Sequence, residues 1–221
     1  MSGFIIFIDP LKRKHAAHFL KLFYLNSYFI IHKPFHVLSQ FTSEEGKETL
    51  KNYFDVPSNV YPVGRLDYDS EGLLILTDDK KLNTLLLNPL HRHEREYWVQ
   101  VEGNISSEAI DQLQEGVSIN TNGKIFQTQR CIVKKFSSPP KVYERKPPIR
   151  VRKNIPESWI RIILTEGKNR QVRKMTAKIG YPTLRLIRYR IENITLKNLQ
   201  PGEMKAISKQ ELYNLLQIQK R

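Results

Sequence analysis

Apolar positions change period several times along the chain, and the changes predict a mixed set of strands and helices. Tyr28-Phe29-Ile30-Ile31-His32 is a strand-like run. It is halted by Lys33-Pro34, where the residue before proline is driven out of helical geometry and a turn follows. Residues 43–54 fit a short helix, since Thr42 or Ser43 offers an N-cap and Leu50, Tyr53 and Phe54 recur at helical spacing. Residues 60–66 lead into a Gly64-Arg65-Leu66-Asp67 loop, and 72–77 form a β-rich run of buried character. Asp78 or Asp79 caps a helix that runs to about Asn88.

The second half repeats the mixture. Residues 97–101 alternate as a strand, and 106–116 form a helix opened by Ser106 or Ser107 and closed by a glycine. Residues 117–136 carry strand character around an Asn122-Gly123 hairpin turn. Residues 137–158, with two Pro-Pro pairs and many basic residues, read as a long surface loop. A strand over 159–165, a helix over 169–179 ended by Gly180, and strands at 184–187 and 191–196 follow. The last helix, 209–219, places Leu212, Leu215 and Leu216 on one face. With no regular βαβ alternation, the fold class is α+β. Residues 1–27 stand apart as an N-terminal extension to which the sequence assigns no role. There is no internal repeat or low-complexity tract.

Composition adds a partner class. The 221 residues include 36 Lys and Arg against 22 Asp and Glu, a formal net charge of +14. Between Arg130 and Arg190 there are 18 basic residues and three acidic ones, Glu144, Glu157 and Glu166. The excess therefore sits on one stretch, as expected of a surface that faces a polyanion such as a nucleic acid; a merely solvated basic face is the plainer alternative. The single cysteine, Cys131, allows no intramolecular disulfide and fits a reducing, cytoplasmic setting. No apolar run reaches the roughly 18 residues of a membrane span, and residues 3–8 are too short for a signal-peptide core.

The chemistry concentrates at residues 64–77, where carboxylates at Asp67, Asp69 and Glu71 stand in a Gly-bounded loop entering a strand. A loop held by a rigid strand is a common seat for catalytic groups, although acidic turns before strands are also commonplace. His91 and His93 have a spacing found among metal ligands, yet no third ligand lies near in sequence, so no metal is expected.

The segment Gly64-Arg65-Leu66-Asp67-Tyr68-Asp69-Ser70-Glu71-Gly72-Leu73-Leu74-Ile75-Leu76-Thr77 resembles the GRLD-x-x-[ST]-x-G-L-L-[IL]-L-T motif of the ribosomal small-subunit type of pseudouridine synthases. Two further blocks match: Glu96-Tyr97-Trp98-Val99, and Glu166-Gly167-Lys168-Asn169-Arg170-Gln171-Val172-Arg173-Lys174-Met175. With Pro147-Pro148-Ile149-Arg150 and residues 182–188, the resemblance spans about 28–208. It is nearest the short branch that acts on large-subunit (23S) ribosomal RNA and lacks the N-terminal RNA-binding domain of many relatives. Arg95 departs from the lysine common at its position but keeps the charge.

The resemblance implies a two-lobed α+β catalytic domain over 28–208 with a mixed, largely antiparallel sheet, a central cleft, and a C-terminal helix over 209–221. It makes Asp67 the catalytic carboxylate, acting as nucleophile or as base, with Tyr97 against the extracted base and Arg173 as the partner of Asp67. It places Arg65, Lys168, Arg170, Arg150, Arg152, Arg185 and Arg188 against RNA. Exchanging an N-glycosidic for a C-glycosidic bond needs no redox cofactor, so none is expected; nor is a membrane partner, and a monomer is the default. Two other classes remain open from the residues alone. One is a non-catalytic RNA-binding protein on the same fold; the other is a glycoside hydrolase with paired carboxylates among Asp67, Asp69 and Glu71.

Overall fold

The computed structural model describes residues 26–149 and 155–218. Most of the N-terminal extension, along with Arg150 and Arg152, lies outside the described residues. Strands β1 (Tyr28–Lys33), β2 (Val37–Leu38), β3 (Glu48–Thr49), β4 (Tyr61–Pro62) and β5 (Glu71–Thr77) lead to helix α1 (Lys80–Leu87). Strand β6 (Arg95–Glu102) leads to α2 (Ser107–Glu115). Strands β7 (Ser118–Thr121), β8 (Lys124–Gln127), β9 (Ile132–Lys135) and β10 (Glu157–Leu164) precede α3 (Gln171–Lys178). Strands β11 (Thr183–Ile191), β12 (Ile194–Thr195) and β13 (Met204–Ala206) and helix α4 (Lys209–Leu215) complete the described chain.

One nine-stranded sheet runs β13-β1-β5-β11-β6-β10-β9, with β4 paired to β5 and β12 to β11. Its pairings are antiparallel except where β11 lies parallel to β5, with Ile187 opposite Glu71 and Arg188 opposite Gly72. This junction joins two antiparallel halves. Gly72 permits it: its φ is +119°, and a Cβ there would lie 2.4 Å from the Arg188 carbonyl oxygen.

All seven residues of β5 are buried because both faces of the strand are covered. Leu73 and Ile75 join a core that includes Leu82 and Leu86 of α1, Ile187 and Ile191 of β11, and Leu212, Tyr213 and Leu216 from the C-terminal segment. Leu74 and Leu76 point the other way, into a core with Ile31, Val37, Leu50, Phe54 and Val60. On that second face, under the other half of the sheet, Val99, Val101, Ile160, Ile162 and Leu186 pack against Leu113 of α2 and Val172 and Met175 of α3. One face thus carries a core shared by both halves. The other carries two separate cores, and the space between them is the cleft.

The caps follow the sequence reading. Asp79 Oδ1 accepts the Lys81 and Leu82 amides at the start of α1, while Oδ2 accepts the hydroxyls of Tyr28 and Tyr213, each at 2.7 Å. One carboxylate therefore ties β1, α1 and α4 together. Ser106 caps α2, and Asn122 and Gly123 both take positive φ in the β7–β8 turn.

Two expectations are corrected, and one strand was missed. The helix expected over 43–54 is a Glu44–Lys47 turn through left-handed Gly46, then β3 and a 3-10 turn at Leu50–Asn52. Thr49 and Asn52 form its capping box. Burying Leu50 and Phe54 under β5 takes the helical spacing without the helix. The strands expected at 184–187 and 191–196 are one nine-residue strand, β11, followed by short β12. Arginines at 185, 188 and 190 disguised its middle. The edge strand β13, which pairs with β1, had no sequence signal.

Candidate active site

Asp67 stands on the loop that enters β5, and the backbone of that loop is held at each step. The Leu66 carbonyl accepts the Ser39 hydroxyl at 2.8 Å, and the Asp67 carbonyl accepts the Ser70 amide at 3.0 Å. The Tyr68 carbonyl accepts the His36 amide at 2.9 Å, and the Asp69 carbonyl accepts Arg173 Nη2. Four successive carbonyls are thus engaged, so the loop needs no reordering to present its side chains.

The loop borders a cavity of about 620 Å³. Asp67, Tyr97, Arg95, Arg65, Lys168, Arg170 and Arg188 line it, with His93 and Tyr68. Asp67 is half-buried, its side chain 33% exposed. Tyr97 is half-buried on β6, cross-strand from Arg188. Arg95 is anchored by donating to the carbonyls of His93 and Leu86.

Helix α3 brings its arginines in through a built turn. Gln171 Nε2 donates to Glu166 at 2.7 Å, Glu166 accepts the Gln129 amide, and the Lys168 amide donates to the Gln171 side chain. Arg170 sits left-handed at the helix start, φ +52°. Its guanidinium meets Asp69 through two bonds of 2.8 Å and lies 3.9 Å from Asp67. Arg173 Nε is 3.4 Å from the Asp69 carboxylate. The ion-pair contacts of Arg173 therefore go to Asp69, and among the described residues the cation within ion-pair distance of Asp67 is Arg170. Burial alone would raise the Asp69 pKa, but the Arg170 hydrogen bonds and the charges of Arg173 and Arg170 bring it below the usual carboxylate value.

Glu71 lies on the opposite face of β5 and is buried. Arg185 meets it through bonds of 2.9 and 2.8 Å and also donates to the Tyr143 carbonyl. Arg185 is itself 6% exposed, so it is corrected from an RNA contact to an internal clamp. The same bonds order part of the proline-rich loop, and Arg145 stacks 4.0 Å over Phe35. With Asp69 and Glu71 both committed to arginines, Asp67 is the carboxylate of the three left facing the cavity, which counts against a paired-carboxylate hydrolase.

Arg188 is also interior rather than on a rim. It is 5% exposed, and its Nε donates to the Leu73 carbonyl at 2.8 Å. Arg65 is exposed on the cavity wall, and Lys168 reaches over the Phe126 ring at 4.7 Å. His93 Nδ1 contacts Glu192, and His91 Nδ1 contacts the Leu85 carbonyl. Among the described residues, no group of three or more His, Cys, Asp or Glu is placed to hold a metal ion, and no helix is long and apolar enough to cross a membrane.

Two features escaped the sequence. Phe35, His36 and Tyr68 form a column of stacked rings with centroid spacings of 3.8 and 4.7 Å beside Asp67. Lys33 is fully buried, donating to the Pro34 and Val37 carbonyls, and burial pushes its pKa down to about 7. The Lys-Pro pair had signalled only a turn.

Comparison with known proteins accords with the geometry. The family model described as "RNA pseudouridylate synthase" matches residues 27–178. "Ribosomal large subunit pseudouridine synthase E" of Vibrio vulnificus is 46% identical over 179 residues, covering 81% of this chain and 74% of that protein. Its namesake in Xanthomonas campestris pv. campestris is 45% identical over 179 residues, 80% of this chain and 93% of that one. A solved pseudouridylate synthase superposes with a TM-score of 0.67 at 23% identity, covering 86% of this chain and 74% of the other, and so shares the fold.

Proposed function

The chain belongs to the RNA pseudouridylate synthase family, and from that premise we propose that it isomerises a uridine of large-subunit (23S) ribosomal RNA with Asp67 as the catalytic carboxylate. The observation that carries this reading is the placement of Asp67. Its loop is fixed by four engaged carbonyls, and it faces a cavity walled by Tyr97 and Arg188.

In this reading the target uridine leaves its stack and enters the cavity, because the reacting atoms are inaccessible inside a helix. Tyr97 lies against the base. Asp67 acts on the ribose, either at C1′ as nucleophile or at C2′ as base. Arg170 supplies positive charge beside Asp67, and Arg173 acts one step back by fixing Asp69 and the loop. Arg65, Lys168 and the exposed edge of Arg170 meet RNA phosphates, and Arg150 and Arg152, which lie outside the described residues, are further RNA contacts in this reading. Residues 28–208 form the catalytic unit, with the C-terminal helix packed on it. The protein works as a cytoplasmic monomer without a resident cofactor.

The test is turnover on 23S rRNA transcripts carrying tritium at uridine C5, which is released when C5 becomes the glycosidic carbon. Wild type releases tritium, while Asp67→Asn binds the RNA equally and releases none. Tritium release by Asp67→Asn at the wild-type rate would remove Asp67 from the chemistry. Binding without turnover by wild type would favour the non-catalytic RNA-binding reading.

A further inference from the structure

We propose that Arg188 is a catalytic residue whose Nη2 donates to a carbonyl oxygen of the extracted uracil and holds the negative charge the base acquires when its glycosidic bond breaks. The inference rests on the pseudouridine synthase reading and adds a chemical role inside it.

Three arginines of β11 are largely buried, and two have carboxylates. Arg185 is paired with Glu71, and Arg190 with Glu94 and Glu96. Arg188 has no carboxylate within ion-pair distance among the described residues. One arm is fixed, since Nε donates to the Leu73 carbonyl. Nη2 is buried without a hydrogen-bond partner. A buried cation and a buried unused donor are both costly, and such groups persist where a ligand completes them. Burial lowers the Arg188 pKa, and the nearby Tyr97 hydroxyl and Asp67 carboxylate oppose that.

The place fits the ligand. Arg188 pairs in register with Tyr97 on one side and Gly72 on the other. Alternation puts it on the cleft face with Leu186, and it lines the cavity. A base resting against Tyr97 would therefore bring its carbonyl edge to a guanidinium that is held by its other arm.

The charge fits the reaction. Breaking C1′–N1 leaves the electron pair on the base, delocalised onto O2 and O4, whether Asp67 has attacked C1′ or taken the C2′ proton. The base then turns about its N3–C6 axis, C5 bonds to C1′, the C5 proton leaves and N1 gains a proton. If Asp67 had attacked C1′, forming the C5–C1′ bond breaks the Asp67–C1′ ester bond and frees the carboxylate; if it had acted as base, C2′ regains its proton. That turn exchanges O2 with O4, so one fixed donor serves the anion before and after it. A preorganised donor aimed at developing charge is the usual source of electrostatic catalysis.

The experiment uses the full chain under single turnover, following loss of the target nucleoside from RNA digests, with RNA affinity measured separately. Arg188→Gln is expected to slow the step by roughly 10²–10³ and to change Kd less than about threefold, as removal of a single oxyanion donor does. Arg188→Lys, which keeps a cation, falls between and carries the test if Arg188→Gln does not fold. In parallel, 5-fluorouridine replaces the target uridine, because fluorine stabilises the base anion. The rate advantage of the fluorinated substrate should be larger in the variants than in wild type, which a purely structural role would not produce. An unchanged rate, a defect confined to Kd as for a phosphate contact, or an unchanged fluorine advantage would overturn the proposal. Failure of wild type itself to convert uridine would instead overturn the enzymatic reading beneath it.

Discussion

Two arginine–carboxylate pairs stand two residues apart on either side of the entrance to β5, with nearly the same bond lengths and opposite surroundings. Glu71 and Arg185 meet on the face of the shared core, with side chains 2% and 7% exposed. Asp69 and Arg170 meet in the cleft, with side chains 31% and 42% exposed. The inner pair locks the strand and the proline-rich loop. The outer pair, screened by solvent, adds little to stability. What it does is set the position and charge of the loop beside Asp67. The same chemistry thus serves the fold on one face and the reaction on the other, and burial decides which.

Breaking the inner pair gives the largest expected effect on stability. Glu71→Ala leaves Arg185 buried without its partner and should lower unfolding free energy by about 3–5 kcal/mol. The double replacement by methionines should cost much less, and urea denaturation distinguishes them. Lys33 extends the comparison, because its carbonyl-bound ammonium lies among the charges of Glu71, Asp69 and Asp67. Its pKa falls from 10.5 to about 7 on folding, so between those values the unfolded chain binds more protons. Stability should therefore rise with pH across that window, by an order of a few kcal/mol at about 1.4 kcal/mol per unit. Lys33→Met should flatten the rise in melts taken across pH 7–10.

The outer pair should behave in the opposite way. Asp69→Asn should change stability by less than about 1 kcal/mol yet slow turnover by about 10- to 100-fold by loosening the loop. A loss of stability as large as that of Glu71→Ala would erase the distinction. The smallest effect is on the acid limb. The Asp69 pKa is lowered by its arginines, so its contribution is present above the unfolded carboxylate value and fades as pH falls through the folded one. Asp69→Asn should remove that part of the acid dependence in equilibrium unfolding.

The difference between the two faces also explains what could be read from sequence. Strands β1, β5 and β10 and helices α1, α2 and α3 follow apolar periods and caps that are local, so their placement was legible. Strand β11 was not, because its three arginines look like loop residues until Glu71, the Leu73 carbonyl, and Glu94 with Glu96 neutralise or anchor them from distant segments. The resemblance brought Asp67, Tyr97 and Arg173 towards one cleft and set Arg170 among the RNA contacts. It could not say that Arg173 meets Asp69, since an arginine side chain reaches either carboxylate and the choice depends on the loop backbone. Nor could a basic stretch reveal that Arg185 and Arg188 point inward on opposite faces of a strand.

The role of Asp67 in the cell is tested by disrupting the gene in its host, mapping pseudouridines across total ribosomal RNA by carbodiimide-dependent primer extension, and complementing with wild type or Asp67→Asn. A large-subunit pseudouridine should disappear on disruption, and only wild type should restore it. Persistence of every site, or restoration by Asp67→Asn, would contradict that role.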